Sequence, residues 1–125
     1  MNTTNKVQPG CPFCLSNALF KGEITTESAG AFLTKAGSDP DNYLIIPKNH
    51  YESVTDLPDD WWVEVKQLVP QVPELKSDYN LSMNLGTLSG QTVKHLHFWV
   101  IVRRAGLPSS GKGLARFIAD ADHAN

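Results

Sequence analysis

The chain has 125 residues, the length of one domain, and a chain of that size buries roughly two-thirds of the surface its unfolded form exposes. Hydrophobic residues make up 41% and charged residues 19%, and eleven basic against thirteen acidic residues leave a formal charge of −2. That excludes a strongly basic chain holding nucleic acid by bulk charge, although not a local basic patch. Two cysteines, Cys11 and Cys14, exclude a disulfide-dense secreted scaffold. No apolar run approaches the roughly 18–20 residues of a membrane span, and the polar start MNTTNKVQPG lacks the apolar stretch of a signal peptide. The expectation is a cytoplasmic protein with no nucleic-acid and no membrane partner.

Residues 1–10 read as a flexible, loosely draped start. Leu15, Ala18 and Leu19 suit a short helical turn. Ala31-Phe32-Leu33-Thr34 reads as a strand, the Gly37–Asn42 cluster as a turn, and Tyr43-Leu44-Ile45-Ile46 as a second strand ending at Pro47. Asp56 is placed as the N-cap of a helix carrying Trp61, Val65, Leu68 and Val69 at helical spacing, with Pro70 and Pro73 stopping or kinking it. Leu81-Ser82-Met83-Asn84-Leu85 alternates as a half-buried strand, closed by Gly86. Val93 to Val102 is read as one strand, with Leu96, Phe98, Val100 and Val102 on an apolar face and His95, His97, Trp99 and Ile101 opposite. Leu114–Ile118 suits a short terminal helix. Strand pairs with short connections favour an α+β fold with an antiparallel sheet.

Three stretches carry candidate chemistry. Cys11-Pro12-Phe13-Cys14 suits half of a zinc site, a redox dithiol or two inert buried thiols. As a zinc site it needs two further ligands, and the chain offers His50, His95, His97 and His123. Gly106–Gly113 nearly spells a phosphate-binding P-loop. However, Gly113 stands where Ser or Thr should hold magnesium, and too few residues follow, so a mobile Gly/Ser loop is the better reading. His95 and His97 share one strand face just after Gly90-Gln91-Thr92. Glycine permits close backbone approach, and Gln91 and Thr92 can donate to phosphate oxygens. An imidazole beside such a cradle can attack phosphorus; a metal site and a structural role are the alternatives for the pair.

The run Gly90-Gln91-Thr92-Val93-Lys94-His95-Leu96-His97-Phe98-Trp99-Val100-Ile101 resembles the signature of the histidine triad (HIT) superfamily. Cys11-Pro12-Phe13-Cys14 is similar to the C-x-F-C opening of many members, and Leu44–His50 to their strand ending in P-K-x-H. Asn84 and Gly86 stand where members carry Asn-x-Gly or Gln-x-Gly. The resemblance implies a HIT-like α+β fold with a five-stranded antiparallel sheet, a long helix and a short one, usually as a homodimer. It implies a nucleotide substrate and hydrolysis or transfer of nucleoside monophosphates. His97 is then the nucleophile and His95 orients it, with Asn84, Gly90, Gln91, Thr92 and Trp99 around the nucleotide. It also implies a structural zinc on Cys11, Cys14, His50 and His95.

Three departures bear on activity. Trp99 replaces the third triad histidine, and an indole N–H can donate a hydrogen bond but cannot take up a proton. Asp41-Asn42 replaces a usual Gly-His between the early strands, and Thr34 stands where an acidic or amide residue often meets the ribose. A zinc-stabilised nucleotide-binding protein with little turnover, or a nucleotidyltransferase, is the alternative expectation.

Overall fold

Short β-branched and aromatic runs pair into one antiparallel sheet in the computed structural model, which describes residues 6–37, 41–73, 75 and 78–123. Its strands are β1 (Ile24–Glu27), β2 (Ala31–Lys35), β3 (Asn42–Pro47), β4 (Tyr79–Ser82) and β5 (Phe98–Val102). They lie in the order β1-β2-β3-β5-β4, and every neighbouring pair is antiparallel. The five-stranded α+β expectation holds. The central strands β2 and β3 are almost wholly buried, as runs covered on both faces must be.

The two faces of the sheet have different covers. Ala31, Leu33, Tyr43, Ile45, Val100 and Val102 pack against Trp61, Val65, Leu68, Val69 and Val72 of helix α1 (Trp61–Leu68) and the turn after it. Phe32, Leu44 and Ile46, on the alternate positions, pack against Phe13, Leu15, Phe20 and Trp99. The second cover is therefore the N-terminal segment. Residues 6–10 were expected to drape loosely, but Lys6 N–H donates to Asn49 Oδ1 (3.1 Å) and His50 N–H to the Lys6 carbonyl (2.7 Å); residues 1–5 lie outside those described.

Helix α1 starts later than the sequence pattern suggests. Asp56 ends a 3-10 turn, Val54–Asp56, capped by Ser53, and Asp60 is the true N-cap position. Leu57 precedes a proline, which forces it out of helical geometry, and its ψ is 142°. At the other end Pro70 has no N–H for the next helical bond, so the chain tightens into a 3-10 turn, Val69–Gln71. The expected long helix is therefore only eight residues. Glu64 on α1 reaches back to the β1–β2 turn, accepting from Gly30 N–H (2.9 Å) and the Ser28 hydroxyl. A Cβ at Gly30 would sit 3.2 Å from the Glu64 carboxyl carbon, so a larger residue there would make the Glu64 side chain give way by a few tenths of an ångström.

Two strands differ from expectation for one reason. The run expected as a strand from Val93 is extended and paired only from Phe98. Continuing the β3–β5 register would set Leu96 opposite Pro47, which has no N–H to donate. Leu96 N–H bonds the Tyr51 carbonyl instead (2.9 Å), and the Gln91 side-chain amide takes the carbonyls of Val93 and Lys94. With its partner gone, β4 pairs over Tyr79–Ser82 rather than Leu81–Leu85. The terminal helix α2 (Leu114–Asp122) outlasts the expected Leu114–Ile118, helped by an Arg116–Asp120 pair one turn apart (2.9 Å). The turn formers 38–40 lie outside the described residues.

Candidate active site and metal centre

The early cysteines end up against the histidine-rich run because the N-terminal segment lies across the sheet face that carries Phe32, Ile46 and Trp99. Cys11, Cys14, His50 and His95 converge so closely that one ligand atom from each lies within 4.8 Å of all the others. His95 Nδ1 is 3.5 Å from both sulfurs, and His50 Nδ1 is 3.3 Å from Cys14 Sγ. Zinc bonds of about 2.3 Å to sulfur and 2.0–2.1 Å to nitrogen give a tetrahedral S···N edge of about 3.5 Å. The donor set fits such an ion in chemistry and in spacing.

The outer nitrogens of both rings are already committed. His95 Nε2–H donates to the Pro47 carbonyl (2.7 Å), and His50 Nε2–H donates to Glu52 Oε2 (2.7 Å). An imidazole that donates from Nε2 carries its lone pair on Nδ1, so each ring shows a bare nitrogen to the thiols. This is the arrangement in which metal-binding histidines are oriented by a carbonyl or carboxylate behind them. Burial, aided by the nearby charges of His50 and His97 and opposed by the Pro47 carbonyl, pulls His95 down to about 4, so it stays neutral. His50 in turn holds the Glu52 carboxyl below its ordinary range.

Burial also pushes the Cys14 thiol up. Cys11 and Cys14 are both buried, and the turn after Cys14 is a three-residue 3-10 helix. The helix N-terminus that a redox dithiol needs is absent from the described cysteine loop, and burial raises Cys14 rather than lowering it. The thiol-oxidoreductase reading is therefore set aside.

His97 is turned the opposite way. Its Nδ1–H donates to the His95 carbonyl (2.9 Å), so in the neutral ring the lone pair is on Nε2. The ring is buried at 5% exposure and lines a cavity of about 420 Å³, together with Phe13, Phe20, Thr34, Leu44, Thr92 and Trp99. His95 and His97 were expected on a polar strand face; both are in fact buried beneath the N-terminal segment, and they divide between the metal cluster and the cavity.

The other expected site residues surround this cavity unequally. Thr92 lines it and also lines two adjoining hollows, one beside the cysteine loop and one with Glu52, Gly86, Gln91 and Lys94. Gln91 has its side chain committed, accepting from Gly86 N–H (2.8 Å) and donating to Val93 O (2.9 Å), so it braces the loop. Gly90 adopts φ +99°, where a side chain would be strained and would also meet Asn84. Asn84 lies two residues past the last β4–β5 pair, in line with His97 if that register is continued. Trp99 is near His97, with ring centroids 6.3 Å apart, and its buried Nε1–H finds no acceptor among the described residues. The Thr34 hydroxyl donates to the Glu23 carbonyl (2.5 Å).

Sequence reading missed Glu52, Pro47 and Phe13 as parts of the site. The spacing His50-x-Glu52 was the available signal for the first; Phe13 and Pro47 stand in the C-x-F-C and P-K-x-H motifs, but their ring contact and carbonyl bond follow only from the fold. The Gly106–Gly113 loop was expected to be mobile, yet Arg103 Nη2 binds the carbonyls of Ser109 (2.6 Å) and Lys112 (2.7 Å). Carbonyls turned to a guanidinium do not make the amide cradle of a P-loop.

The class of protein follows from this sheet, its paired histidines and the cysteine loop, and comparison with known proteins agrees. The model of the HIT domain family matches residues 24–106. This chain belongs to the HIT family. It is 35% identical over 107 residues to an uncharacterised HIT-like protein of Methanocaldococcus jannaschii, covering 77% of this chain and 81% of that one. It is 30% identical over 112 residues to the adenosine 5'-monophosphoramidase of Saccharomyces cerevisiae, covering 83% of this chain and 69% of the yeast protein. A zinc-bound histidine triad family protein of Mycobacterium smegmatis has a similar fold, with a TM-score of 0.62 and 22% identity over 93% of this chain and 98% of that one.

Proposed function

We propose that this chain is a nucleotide hydrolase that cleaves a phosphoanhydride or phosphoramidate bond to a nucleoside monophosphate. The observation that carries the reading is the Nδ1–H bond of His97, a buried imidazole that lines a cavity walled by aromatic and aliphatic side chains and in its neutral form has its lone pair on Nε2. Phe20, Leu44 and Trp99 suit a flat heterocycle. The name of the yeast relative, a monophosphoramidase, supports the same bond class.

In this mechanism His97 Nε2 attacks the α-phosphorus, an Nε2–P bond forms, and the bond to the leaving group breaks with its electron pair. The His95 carbonyl accepts the Nδ1–H bond throughout and stabilises the ring as it gains positive charge. Water then attacks phosphorus and gives up a proton to solvent, where the departed leaving group takes one up; the Nε2–P bond breaks with its electron pair returning to Nε2, and the nucleoside monophosphate leaves. Thr92 holds phosphate oxygens, Gly90 and Gln91 shape the loop that presents it, their N–H groups donating to the carbonyls of Thr87 and Gly86, and Asn84 lies on the leaving-group side. If another acceptor replaces water, the same intermediate makes the chain a nucleotidyltransferase.

Cys11, Cys14, His50 and His95 would hold zinc in a structural role, since four protein ligands leave no open position for water. When bound, the ion would tie the N-terminal segment to the β3 end. The whole of residues 1–125 forms one domain in this reading, located in the cytoplasm and acting as a homodimer. The free edge of β4 and the exposed apolar residues Leu114, Phe117 and Ile118 of α2 support self-association.

A second reading is a zinc-stabilised nucleotide-binding protein with little turnover, and Trp99 favours it because indole cannot protonate a leaving group. Incubation with a panel of dinucleoside polyphosphates and nucleoside phosphoramidates, followed by product analysis, decides between them. Release of a nucleoside monophosphate supports the hydrolase; nucleotide binding with no product from any substrate supports the second reading.

A further inference from the structure

The cysteine loop carries a residue that neither the metal cluster nor the phosphate chemistry has used. Phe13 stands between Cys11 and Cys14, so both of its flanks are fixed by candidate metal ligands. Its ring meets His97 edge-on, with centroids 5.2 Å apart and planes at 89°. It meets His95 in the same manner, at 6.0 Å and 76°. Behind it Phe20 packs edge-on at 6.1 Å, and Phe20 rests in turn on Phe32 of β2 at 5.3 Å. An aromatic column thus runs from the buried sheet to the His97 ring, and the cysteine loop sets where its last member lies.

A single hydrogen bond tolerates a range of angles, so it leaves a histidine ring room to rock about its Cβ–Cγ bond. The Nδ1–H bond to the His95 carbonyl fixes the tautomer of His97 and the position of one ring atom. Together with the Cβ tether it sets the mean plane of the ring but tolerates rocking about it, and that rocking moves the direction of the Nε2 lone pair. Phe13 supplies the missing constraint from the side, and a ring perpendicular to another loses the contact when either one swings. Trp99 approaches less closely, at 6.3 Å and 56°.

We infer that Phe13 is a positioning residue for His97: the cysteine loop, held in place by its ligand set, uses the Phe13 ring to aim the attacking nitrogen. The inference rests on the proposed role of His97 as nucleophile. It gives the metal loop a second task beyond stability, because a shift of the loop moves Phe13 and releases the His97 ring. A misplacement of about 1 Å can cost on the order of 100-fold in rate.

The test compares the wild-type holoprotein with Phe13→Leu and Phe13→Tyr, each checked for equal metal content and for a cooperative melt. Leucine keeps an apolar side chain but no ring; tyrosine keeps the ring. The expected result is a fall in kcat of about 10- to 100-fold in Phe13→Leu, with KM changed less than kcat, and recovery of most of the loss in Phe13→Tyr. A rise in KM with kcat unchanged would overturn the inference, since Phe13 would then be only a wall of the nucleoside pocket. An equal loss of kcat in both variants would overturn it as well. If Phe13→Leu fails to fold, Phe13→Tyr alone decides, because a kcat reduced by tenfold or more with the ring retained contradicts the inference. His97→Ala run in parallel separates the two ideas. Turnover surviving in that variant defeats the nucleophile itself; turnover abolished there, with kcat unaffected in Phe13→Leu, defeats only the positioning role.

Discussion

The Nε2–H of His95 donates to the carbonyl of Pro47 across 2.7 Å, and this bond turns the opposite nitrogen of the ring to the sulfurs of Cys11 and Cys14. The same proline that gives up its carbonyl also ends β3, because it has no N–H to extend the ladder. One residue therefore both releases the histidine run from the sheet and orients its first member. The carbonyl of His95 then orients His97. Three imidazoles in a small volume are each fixed as a defined tautomer by an acceptor at one nitrogen.

His97→Ala is expected to abolish turnover while nucleotide binding survives. A nucleophile that acts through a covalent intermediate contributes several orders of magnitude, so a loss of at least about 1,000-fold in kcat is predicted. Activity above a tenth of wild type in the purified variant would contradict the covalent role.

About one zinc per chain is expected in protein purified without chelators, on the four ligands of a tetrahedral site. Such an ion binds the folded chain and not the unfolded one. At a thousandfold excess over Kd it adds about 4 kcal/mol, which corresponds to a melting temperature on the order of 15 °C higher. Metal analysis and thermal melts with and without chelator check both numbers, and metal-free protein as purified would refute the site.

Glu52→Gln is expected to weaken metal affinity by about 10- to 100-fold without removing a ligand. The carboxylate accepts from His50 Nε2–H at 2.7 Å and has half of its side chain exposed. An amide can still accept that bond but brings no charge to polarise the ring. Competition with a chromophoric chelator measures the change, and an unaltered affinity would show that the carboxylate only caps an exposed ring.

The metal-stripped protein is expected to lose stability in acid through His95. Its folded pKa is held down to about 4 by burial, against about 6.5 in an unfolded chain. Below the unfolded value the unfolded state binds more protons than the folded one, so protonation favours unfolding. The contribution of His95 is complete above about pH 6.5 and is lost as pH falls through the folded value near 4. Denaturant melts of the chelated protein across that window should show the decline, and His95→Asn should flatten it.

Trp99→His is expected to raise hydrolysis of substrates with poor leaving groups more than of those with good ones. Trp99 borders the same cavity as His97, and its indole can donate a hydrogen bond but carries no titrating proton. General acid help is worth about 10²–10⁴-fold where it is needed. Kinetics on paired substrates that differ only in leaving group provide the ratio; an unchanged ratio in a folded, nucleotide-binding variant would show Trp99 to be a packing residue.

Much of this was legible from the chain alone. The runs Ala31–Thr34 and Tyr43–Ile46 mark strands because they are short, apolar, rich in aromatic and branched residues and bounded by turn formers. The spacing of Trp61, Val65 and Leu68 marks the buried stripe of α1. The cysteine loop, His50 and the His95–His97 pair stand out because few side chains bind metals or attack phosphorus. Periodicity misled at the histidine run, where alternation over Val93–Val102 suggested a longer strand than the five residues that pair. A strand needs a partner able to bond it, and Pro47, far away in sequence, withholds that partner.

The sequence by itself determined the donor set: two thiols, four histidines and a tryptophan two residues after His97 are read directly from the chain. Only the tertiary structure decided which ring nitrogen each histidine keeps bare, that His95 turns to the metal cluster while its neighbour two residues on turns to the cavity, and that Phe13 stands against both. The physical reason is that a tautomer is selected by the acceptor a ring meets, and those acceptors are backbone carbonyls and a carboxylate brought close by folding. A side chain carries its chemistry wherever it lies, but the direction of a lone pair is set by its neighbours in space.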